Sequence, residues 1–210
     1  MARVKDVTNP DQLVQLMYRG FGGVIAPMQV ESEIRWLMEK VSELRPKVVV
    51  EIGTATGGTL FLWTRLAAAD ATVISVDLPE GKFGGGWPRW KGGLYRAMRR
   101  PGQRLELLRG DSHDAGMKGR VMRILGGRPI DFLFVDGDHS YEGVRRDYED
   151  YGPLVRPGGL IAFHDVARHP AGEGGEVWRF WEELRAMGGT QERVEDDAKG
   201  YGIGVVTRMQ

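Results

Sequence analysis

The sequence predicts an α/β protein built on a doubly wound, mostly parallel sheet. Short apolar runs rich in Val, Ile, Leu and Phe alternate with longer segments whose apolar residues recur at helical spacing. The short runs are continuously apolar, which is typical of strands buried on both faces. A glycine-rich turn follows the first run, as it does in many βα units. Helices covering both faces of a parallel sheet account for all three observations.

The first 45 residues predict helices that lie outside this alternating pattern. Pro10 suits the first turn of a short helix, and the glycine-rich stretch GFGGVIAPMQ indicates a loop that could close one side of a pocket. Apolar residues then recur at helical spacing until Pro46 ends a second helix. We therefore expect a helical extension over residues 1–45, packed on one domain that spans residues 46–210.

Six strands follow from Pro46 onward, with helices between them. The predicted strands are KVVVEIG, ATVISVD, RLELLRGD, IDFLFVDG, GGLIAFHD and YGIGVVTRM. The predicted helices are GTLFLWTRLAAA, AGMKGRVMRILGG, YEGVRRDYEDY and EVWRFWEELRAMG. Between the second and third strands we expect a long loop. Its residues 79–93 could form a lid through Trp87 and Trp90, or pack on the surface or on a partner subunit.

Composition excludes several classes of function. The chain has 29 basic and 29 acidic side chains, so its overall charge provides no attraction to nucleic acid or to an anionic membrane. Cysteine is absent, which excludes disulfides and thiolate catalysis. No apolar run reaches membrane-spanning length, and the first residues lack the apolar core of a secretory signal. We expect a cytoplasmic protein that binds neither nucleic acid nor membrane.

Residues at the ends of the first two strands indicate a nucleoside pocket, because ligands of such sheets bind beyond the carboxyl ends of the strands. The first strand ends in an E-x-G-x-x-x-G pattern through Glu51, Gly53 and Gly57. Ala55 breaks the dinucleotide fingerprint G-x-G-x-x-G at its middle glycine. The second strand ends in Asp77, whose carboxylate can accept hydrogen bonds from both ribose hydroxyls.

The third strand ends in Asp111, Ser112 and His113, which lie over the same predicted pocket. Asp111 could accept a hydrogen bond from the exocyclic amine of an adenine, or it could cap the next helix. The sequence pattern leaves both alternatives open. Three of the four histidines follow a strand, and the fourth lies just downstream of the fifth strand. This grouping on one rim favours chemistry over unrelated structural roles.

The fourth and fifth strands end in Asp136 and in the pair His164 and Asp165. Neighbouring parallel strands bring these side chains together, and carboxylate and imidazole ligands suit a divalent cation. Clustered charges without a counter-charge would also be costly. The alternative is that these acids are exposed or cap the following helices, although Asp138 and Ser140 lie closer to a helix start.

Together these motifs resemble the class I S-adenosylmethionine-dependent methyltransferases. The resemblance rests on VVVEIGTATGG, VISVDLPEG, RGDSHD and the block from Phe132 to Asp165, which is the most specific part. The branch that it resembles most contains the macrocin O-methyltransferases and the cephalosporin-hydroxylase-type proteins. The resemblance implies a Rossmann-like seven-stranded sheet, S-adenosylmethionine as cofactor and, in that branch, a divalent cation such as Mg²⁺.

Carried over by position, the resemblance implies roles for individual residues. The cofactor would be bound by Glu51, Gly53, Thr54, Gly57, Asp77, Asp111, Ser112 and His113. Asp136, His164 and Asp165 would hold a cation, and His139 would act as general base beside Asp136. His164 departs from the branch, which has a carboxylate there. An imidazole at this position would favour Mn²⁺ or a later metal over Mg²⁺, unless His164 has another role or no metal binds.

This residue set predicts a metal-assisted O-methyltransferase that acts on a small-molecule hydroxyl. An alcohol keeps its proton at neutral pH, so a metal that lowers its pKa and a base such as His139 would both help. The acceptor can be a sugar, a phenol or a related small alcohol. Two alternatives are an NAD-dependent oxidoreductase, which Ala55 disfavours, and a non-catalytic cofactor-binding member of the fold. N-terminal helices often form dimer contacts, which leaves a homo-oligomer open.

Overall fold

The computed structural model describes residues 9–81, 86–168, 175–195 and 201–209, so His169 lies outside it. The strands are β1 (Val48–Ile52), β2 (Thr72–Asp77), β3 (Arg104–Arg109), β4 (Ile130–Val135), β5 (Val155–His164), β6 (Thr190–Arg193) and β7 (Ile203–Thr207). The helices are α1 (Pro10–Arg19), α2 (Glu31–Leu44), α3 (Gly58–Leu66), α4 (Lys91–Met98), α5 (Ala115–Leu125), α6 (Tyr141–Tyr151) and α7 (Val177–Met187). Within the described ranges, no helix combines the length and hydrophobicity needed to cross a lipid bilayer.

The seven strands found among the described residues form one sheet in the order β3-β2-β1-β4-β5-β7-β6. Strands β1 to β5 run parallel, and β7 lies antiparallel between β5 and β6. The order reverses between β1 and β4, the point at which doubly wound sheets open a crevice for ligands. The prediction of a doubly wound, mostly parallel, seven-stranded sheet is confirmed.

Alternate residues of each strand face two separate apolar layers. In β1, Val49 packs in the layer of α1 to α4, where Trp63 is the largest buried side chain. Val50 packs in the opposite layer, formed by α5 to α7 around Trp181. Both faces of the central strands are therefore buried, which is why these strands are continuously apolar in sequence.

The N-terminal helices pack into the first of these layers. As predicted, α1 begins at Pro10, and α2 ends just before Pro46. Glu33 of α2 is fully buried, and its carboxylate accepts the backbone N–H groups of Glu195 at 2.9 Å and Gly202 at 3.2 Å. These bonds join α2 to the chain segments next to β6 and β7.

Part of the stretch predicted to be a long loop is the helix α4. It forms because Tyr95 and Met98 bury their side chains in the first layer, and a Gly-Gly pair inside the helix hides this pattern. Trp87 is only 5% exposed and packs edge-on against Tyr95, with ring centroids 5.4 Å apart, whereas Trp90 is 69% exposed. Trp87 thus packs on the protein itself, one of the alternatives that the sequence leaves open.

Two further boundaries differ from the prediction. Strand β6 is polar and mostly exposed along its whole length, so it carries no apolar pattern that could reveal it. Strand β5 begins at Val155, three residues before the predicted strand GGLIAFHD, so the Val-Arg-Pro segment also lies inside the strand. The pairing of β4 with β5 shifts register between Ile130 and Phe132, which accommodates this segment.

Candidate active site

A cavity opens at the carboxyl ends of the central strands, around the point where the strand order reverses. Its walls are the loops after β1, β2, β3 and β4, together with residues 27–29 of the N-terminal segment. The empty space amounts to about 1150 Å³, counting the mouth that is open to solvent. This is the position and the size range expected for a cofactor and a small substrate.

Glycine at position 53 allows the loops after β1 and β4 to touch. Gly53 has a φ of 93°, and a Cβ atom there would lie 1.9 Å from the carbonyl oxygen of Asp136. The N–H of Asp136 donates to the carbonyl of Ile52 at 2.8 Å, which continues the pairing of the two strands to this point. Only glycine fits here, because both the backbone conformation and the close approach exclude a side chain.

Asp77 ends β2 and lines the cavity with a buried carboxylate. The carboxylate accepts the backbone N–H groups of Thr54 at 3.3 Å, Gly86 at 2.9 Å and Trp87 at 3.0 Å. Burial raises the pKa of Asp77, and these backbone donors oppose that rise. The loops after β1 and β2 thus hold the carboxylate in place at the predicted ribose position.

Asp111, Ser112 and His113 also line the cavity, as predicted for the end of β3. Asp111 accepts the N–H of His113 at 2.8 Å, but the helix cap is Asp114, whose side chain accepts the N–H at the start of α5. The capping alternative for Asp111 therefore does not apply. The His113 ring lies 3.3 Å from the buried carboxylate of Asp147, which raises the pKa of His113.

Glu51 is fully buried and does not line the cavity, so its predicted role in cofactor binding stays a prediction. Its side chain points into the first apolar layer, where Trp63 Nε1 donates to it at 2.9 Å and Ser75 Oγ at 2.7 Å. Burial raises the pKa of Glu51 to about 7, although hydrogen bonds from its neighbours oppose the rise. The alternation of β1 places Glu51 on the same face as Val49, which is the face covered by the first apolar layer.

The other end of the cavity carries His139, held by an acid from the next strand. His139 Nδ1 lies 2.7 Å from Asp165 Oδ2, and His139 Nε2 lies 3.5 Å from Asp136 Oδ1. Since a carboxylate can only accept, the closer contact with Asp165 favours a proton on Nδ1, and Nε2 is the nitrogen that faces Asp136. Burial lowers the pKa of His139, but the two carboxylates outweigh it and the net pKa is raised.

His164 lies behind this pair and is only 4% exposed. Its Nδ1 is 3.2 Å from Asp136 Oδ1 and 3.1 Å from Asp165 Oδ1. Burial by itself would lower the pKa of His164, but the charges of Asp136, Asp165 and Glu33 raise it to about 9.

The predicted metal ligands Asp136, His164 and Asp165 come together at this end of the site. Nδ1 of His164 faces the oxygens that a shared ion would contact. Across the described ranges, no three acidic, histidine or cysteine side chains are placed to hold a metal ion. His164 and Asp165 also do not line the cavity. We therefore derive no catalytic step through a metal.

Gln29 is the functional residue that the sequence does not reveal. It is 6% exposed, lines the cavity, and donates from Nε2 to Asp136 Oδ2 at 2.6 Å. Tyr18 Oη donates to the backbone carbonyl of Gln29 at 2.6 Å and fixes the segment. The glycine-rich stretch was expected to close one side of the pocket, and residues 27–29 confirm this. Nothing in its sequence singles out Gln29.

Comparison with known proteins agrees with this geometry. A family model described as Methyltransferase domain matches residues 50–166, more than half of the chain. Uncharacterized protein y4gI of Sinorhizobium fredii is 30% identical over 159 residues, which cover 72% of this chain and 16% of that protein. The chain thus spans about a sixth of the length of that curated relative.

Two solved structures share the fold. The O-methyltransferase TomG from Streptomyces achromogenes, in complex with SAM, has a TM-score of 0.63 and 17% identity, covering 96% of this chain and 89% of that one. The MycE methyltransferase of mycinamycin biosynthesis, in complex with Mg and SAH, has a TM-score of 0.62 and 17% identity, covering 98% of this chain and 56% of that one. At this identity, the likeness shows a common architecture.

Proposed function

The chain belongs to the methyltransferase family whose domain model it matches, and we propose that it transfers the methyl group of S-adenosylmethionine to a hydroxyl group of a small molecule. The observation that carries this proposal is the arrangement of one cavity. At one end His139 is held by Asp165, and at the other end Asp77 and Asp111 line the wall. Family membership agrees with the resemblance of the sequence motifs. It also favours methyl transfer over the alternative of an NAD-dependent oxidoreductase.

The cofactor end of the cavity suits S-adenosylmethionine. Gly53 and Thr54 bring the backbone after β1 close to the ligand, and Gly57 precedes the N-terminus of α3. Asp77 is placed for the ribose hydroxyls. At the adenine end, Asp111, Ser112 and His113 supply the polar groups. S-adenosylmethionine would provide an electrophilic methyl carbon bonded to a sulfonium sulfur.

At the acceptor end, the side chains activate and orient a hydroxyl group. His139 Nε2 accepts the hydroxyl proton while the oxygen forms its bond to the methyl carbon and the carbon–sulfur bond breaks. Asp165 holds the imidazole ring and stabilises the imidazolium that forms. Asp136, fixed by Gln29, orients the acceptor. Positioning of this kind can contribute on the order of 7–11 kcal/mol to an in-line transfer.

Several small-molecule acceptors fit the proposal. TomG and MycE are named for tomaymycin synthesis and mycinamycin biosynthesis, and both share this fold. A sugar, a phenol or a related natural-product alcohol is therefore the class to test. Metal assistance is not part of the proposed mechanism, because no group of acidic, histidine or cysteine side chains in the described ranges is placed to hold a metal ion.

The proposal also covers the organisation of the chain. We take residues 46–210 as the catalytic domain and residues 1–45 as a helical extension that closes the acceptor end. The hydrogen bond from Gln29 to Asp136 supports these separate roles, because it joins the extension to the acceptor end of the catalytic domain. The protein would act on a free small molecule rather than on nucleic acid or a membrane, in keeping with its balanced charge.

Calorimetric titration with S-adenosylmethionine and with NAD tests the cofactor, and a panel of sugars and phenols incubated with labelled S-adenosylmethionine tests the reaction. We expect binding of S-adenosylmethionine, no binding of NAD, and label transfer to an acceptor oxygen. Binding of NAD alone would contradict the proposal. Tight binding of S-adenosylmethionine with no transfer to any acceptor would instead support a non-catalytic member of the fold.

A further inference from the structure

A second pair of a histidine and a carboxylate lies at the adenine end of the cavity. His113 follows β3 and lines the cavity, and its side chain is 15% exposed. Asp147 belongs to α6 and is fully buried. His113 Nε2 lies 3.3 Å from Asp147 Oδ1. The proposed methyl transfer makes no use of Asp147, so its burial beside a cavity residue has another cause.

The contacts of Nε2 fix which ring nitrogen of His113 carries a proton. Nε2 lies 3.2 Å from the carbonyl oxygen of Gly143, one helical turn before Asp147 on α6. A carbonyl oxygen only accepts hydrogen bonds, so Nε2 must carry the hydrogen that joins them. The other ring nitrogen, Nδ1, is on the side of Asp111, 3.7 Å from its Oδ1, and Asp111 also lines the cavity.

The carboxylate of Asp147 lies directly behind the cavity wall. A Cβ atom at Gly137, which lines the cavity, would be 3.8 Å from Asp147 Oδ2. Neither oxygen of Asp147 has an aligned hydrogen-bond donor, and a buried carboxylate without a positive partner is strongly destabilising. Among the residues that the structure describes, His113 is its ion-pair partner. An imidazolium at His113 supplies the missing charge and carries a second proton, on Nδ1.

The other charges around this pair come from three elements. Asp111, in the same loop as His113, adds a negative charge, and Arg146 of α6 adds a positive one while donating to the His113 carbonyl at 2.5 Å. The contact with Asp147 raises the pKa of His113, burial and Arg146 oppose it, and the net pKa is raised. Burial raises the pKa of Asp147, and Asp138 in the loop after β4 adds to that rise.

We propose that Asp147 is a positioning residue for cofactor recognition: it holds His113 with Nε2–H turned into the protein and Nδ1–H presented to a ring nitrogen of adenine. The inference deepens the proposed function and rests on it. Asp111 accepts beside this donor, so the two side chains complement the amine and the ring nitrogens of adenine. A 6-oxopurine presents an acceptor oxygen and a ring N–H instead. The pair would therefore select adenine.

The first test needs no ligand. Histidine ring ¹⁵N signals of the native chain and of Asp147→Asn are followed from about pH 5 to 9, with His113→Gln identifying the His113 signals. We expect Nε2 of His113 to keep its proton throughout. The pKa of His113 should lie above 6.5 in the native chain and closer to 6.5 in Asp147→Asn. A neutral ring protonated on Nδ1, or the same His113 pKa in both proteins, would overturn the proposal.

The second test is the affinity for S-adenosylhomocysteine, measured by calorimetry between about pH 6 and 9. The proton on Nδ1 is present below the pKa of His113 and lost above it, so affinity should fall as pH rises through that value. His113→Gln keeps an uncharged donor, so its affinity should vary less with pH, and titration of the ligand itself cancels in this comparison. Parallel pH profiles of these two proteins would overturn the proposal.

Asp147→Asn should bind S-adenosylhomocysteine about tenfold more weakly than the native chain near pH 7. Circular dichroism checks its fold, because Asp147 is fully buried. Glu149→Gln is the matched control, since it removes an exposed charge from the same helix and should leave affinity unchanged. If Asp147→Asn does not fold, the native chain and His113→Gln still decide the proposal.

The third test is selection of the base. The native chain should bind S-adenosylhomocysteine about tenfold or more tightly than S-inosylhomocysteine, its 6-oxopurine analogue. Asp147→Asn should lose most of this preference, because a neutral His113 has a lone pair on Nδ1 that can accept the ring N–H of the analogue. Equal affinity of the native chain for both ligands would overturn the proposal.

These measurements separate the inference from the proposed function. Binding of S-adenosylhomocysteine with no preference for adenine would overturn the inference and leave methyl transfer intact. No binding of S-adenosylhomocysteine at any pH would contradict the proposed function, and the ¹⁵N titration would still decide whether Asp147 orients His113.

Discussion

His139 Nδ1 lies 2.7 Å from Asp165 Oδ2, although the two residues belong to the loops of different strands. Asp165 adopts a left-handed backbone conformation, with a φ of 59°, directly after β5. Aspartate tolerates this conformation better than most residues. At the start of α7, the N–H of Glu176 donates to the carbonyl of His139 at 2.6 Å, so His139 is held through both its ring and its backbone.

Replacement of His139 should remove the base and leave the cofactor site intact. We expect His139→Ala to lower kcat by about 10²–10⁴-fold, the usual contribution of a general base. The dissociation constant for S-adenosylmethionine, measured by calorimetry, should stay within a few-fold. His113→Ala is the contrasting variant, because it should weaken cofactor binding more than turnover. A kcat of His139→Ala equal to the native value would exclude the residue as base.

The pH profile of turnover should depend on Asp165. The pKa of His139 is raised, and the imidazole accepts a proton only in its neutral form, so kcat should rise with pH through this raised pKa. Asp165→Asn removes one of the charges that raise it, so the rising limb should move to lower pH while the maximal rate falls. Measuring kcat from about pH 5 to 9 for both proteins tests this. Superimposable profiles would show that Asp165 does not tune His139.

Two carboxylates at the cofactor end should differ in their effect on affinity. Asp77→Asn loses charge-assisted hydrogen bonds to the ribose, each worth about 1.5–3 kcal/mol, so affinity for S-adenosylmethionine should fall about 10- to 100-fold. Asp111 is half exposed, and Asp111→Asn should cost less. Asp70→Asn makes the same change on the surface and should have no effect. Calorimetry measures all three, and equal affinities would remove Asp77 from the cofactor site.

Glu51 should affect stability rather than binding. Its pKa is raised to about 7 in the fold, so its contribution to stability is fully present below its ordinary value near 4.5 and is lost as pH rises through 7. Glu51→Gln keeps the shape without the charge, and should therefore gain stability relative to the native chain as pH rises from about 5 to 8. Urea unfolding at both pH values measures this. A difference that does not change with pH would contradict the raised pKa.

Gln29 should position Asp136 for the acceptor. Gln29→Ala removes the donor at Asp136 Oδ2, and since small misplacements at a reacting centre are costly, we expect turnover to fall about tenfold or more. Gln29→Glu keeps the size but puts a like charge beside Asp136, and it should be worse. Steady-state kinetics should show the loss in kcat, with cofactor affinity unchanged. A reduced cofactor affinity in both variants would indicate a general disturbance of the loop.

Much of this architecture could be predicted from the sequence, because burial on both faces leaves a clear pattern. The continuously apolar runs locate the central strands, and parallel pairing then places Asp77, Asp136 and Asp165 at one edge. Strand β6 was not predicted, because an edge strand that is polar on both faces carries no such pattern. Helix α4 was not predicted, because its two glycines indicate a loop and its few buried side chains give only a weak helical pattern.

The details of the site depend on the orientation of side chains and the path of loops, which the spacing of residues in the sequence does not reveal. Glu51 precedes a glycine that lines the cavity, yet the pleat of β1 turns its side chain into the core. Gln29 reaches Asp136 across 107 positions of sequence, through a loop whose path depends on the packing of α1 and α2. The sequence shows that His164 departs from the related branch, but only the structure shows that its Nδ1 lies 3.2 Å from Asp136 Oδ1 and 3.1 Å from Asp165 Oδ1.

The buried hydrogen bonds of Glu33 connect segments that lie far apart in the sequence. Its carboxylate accepts hydrogen bonds from the N–H groups of Glu195 and Gly202, and Gly202 lies 169 positions further along the chain. Before those segments dock, water solvates the carboxylate, so the buried position of Glu33 depends on both segments being in place. Because Glu33 also adds to the negative field around His164, the docking of these two segments on α2 also sets the charge environment beside the site.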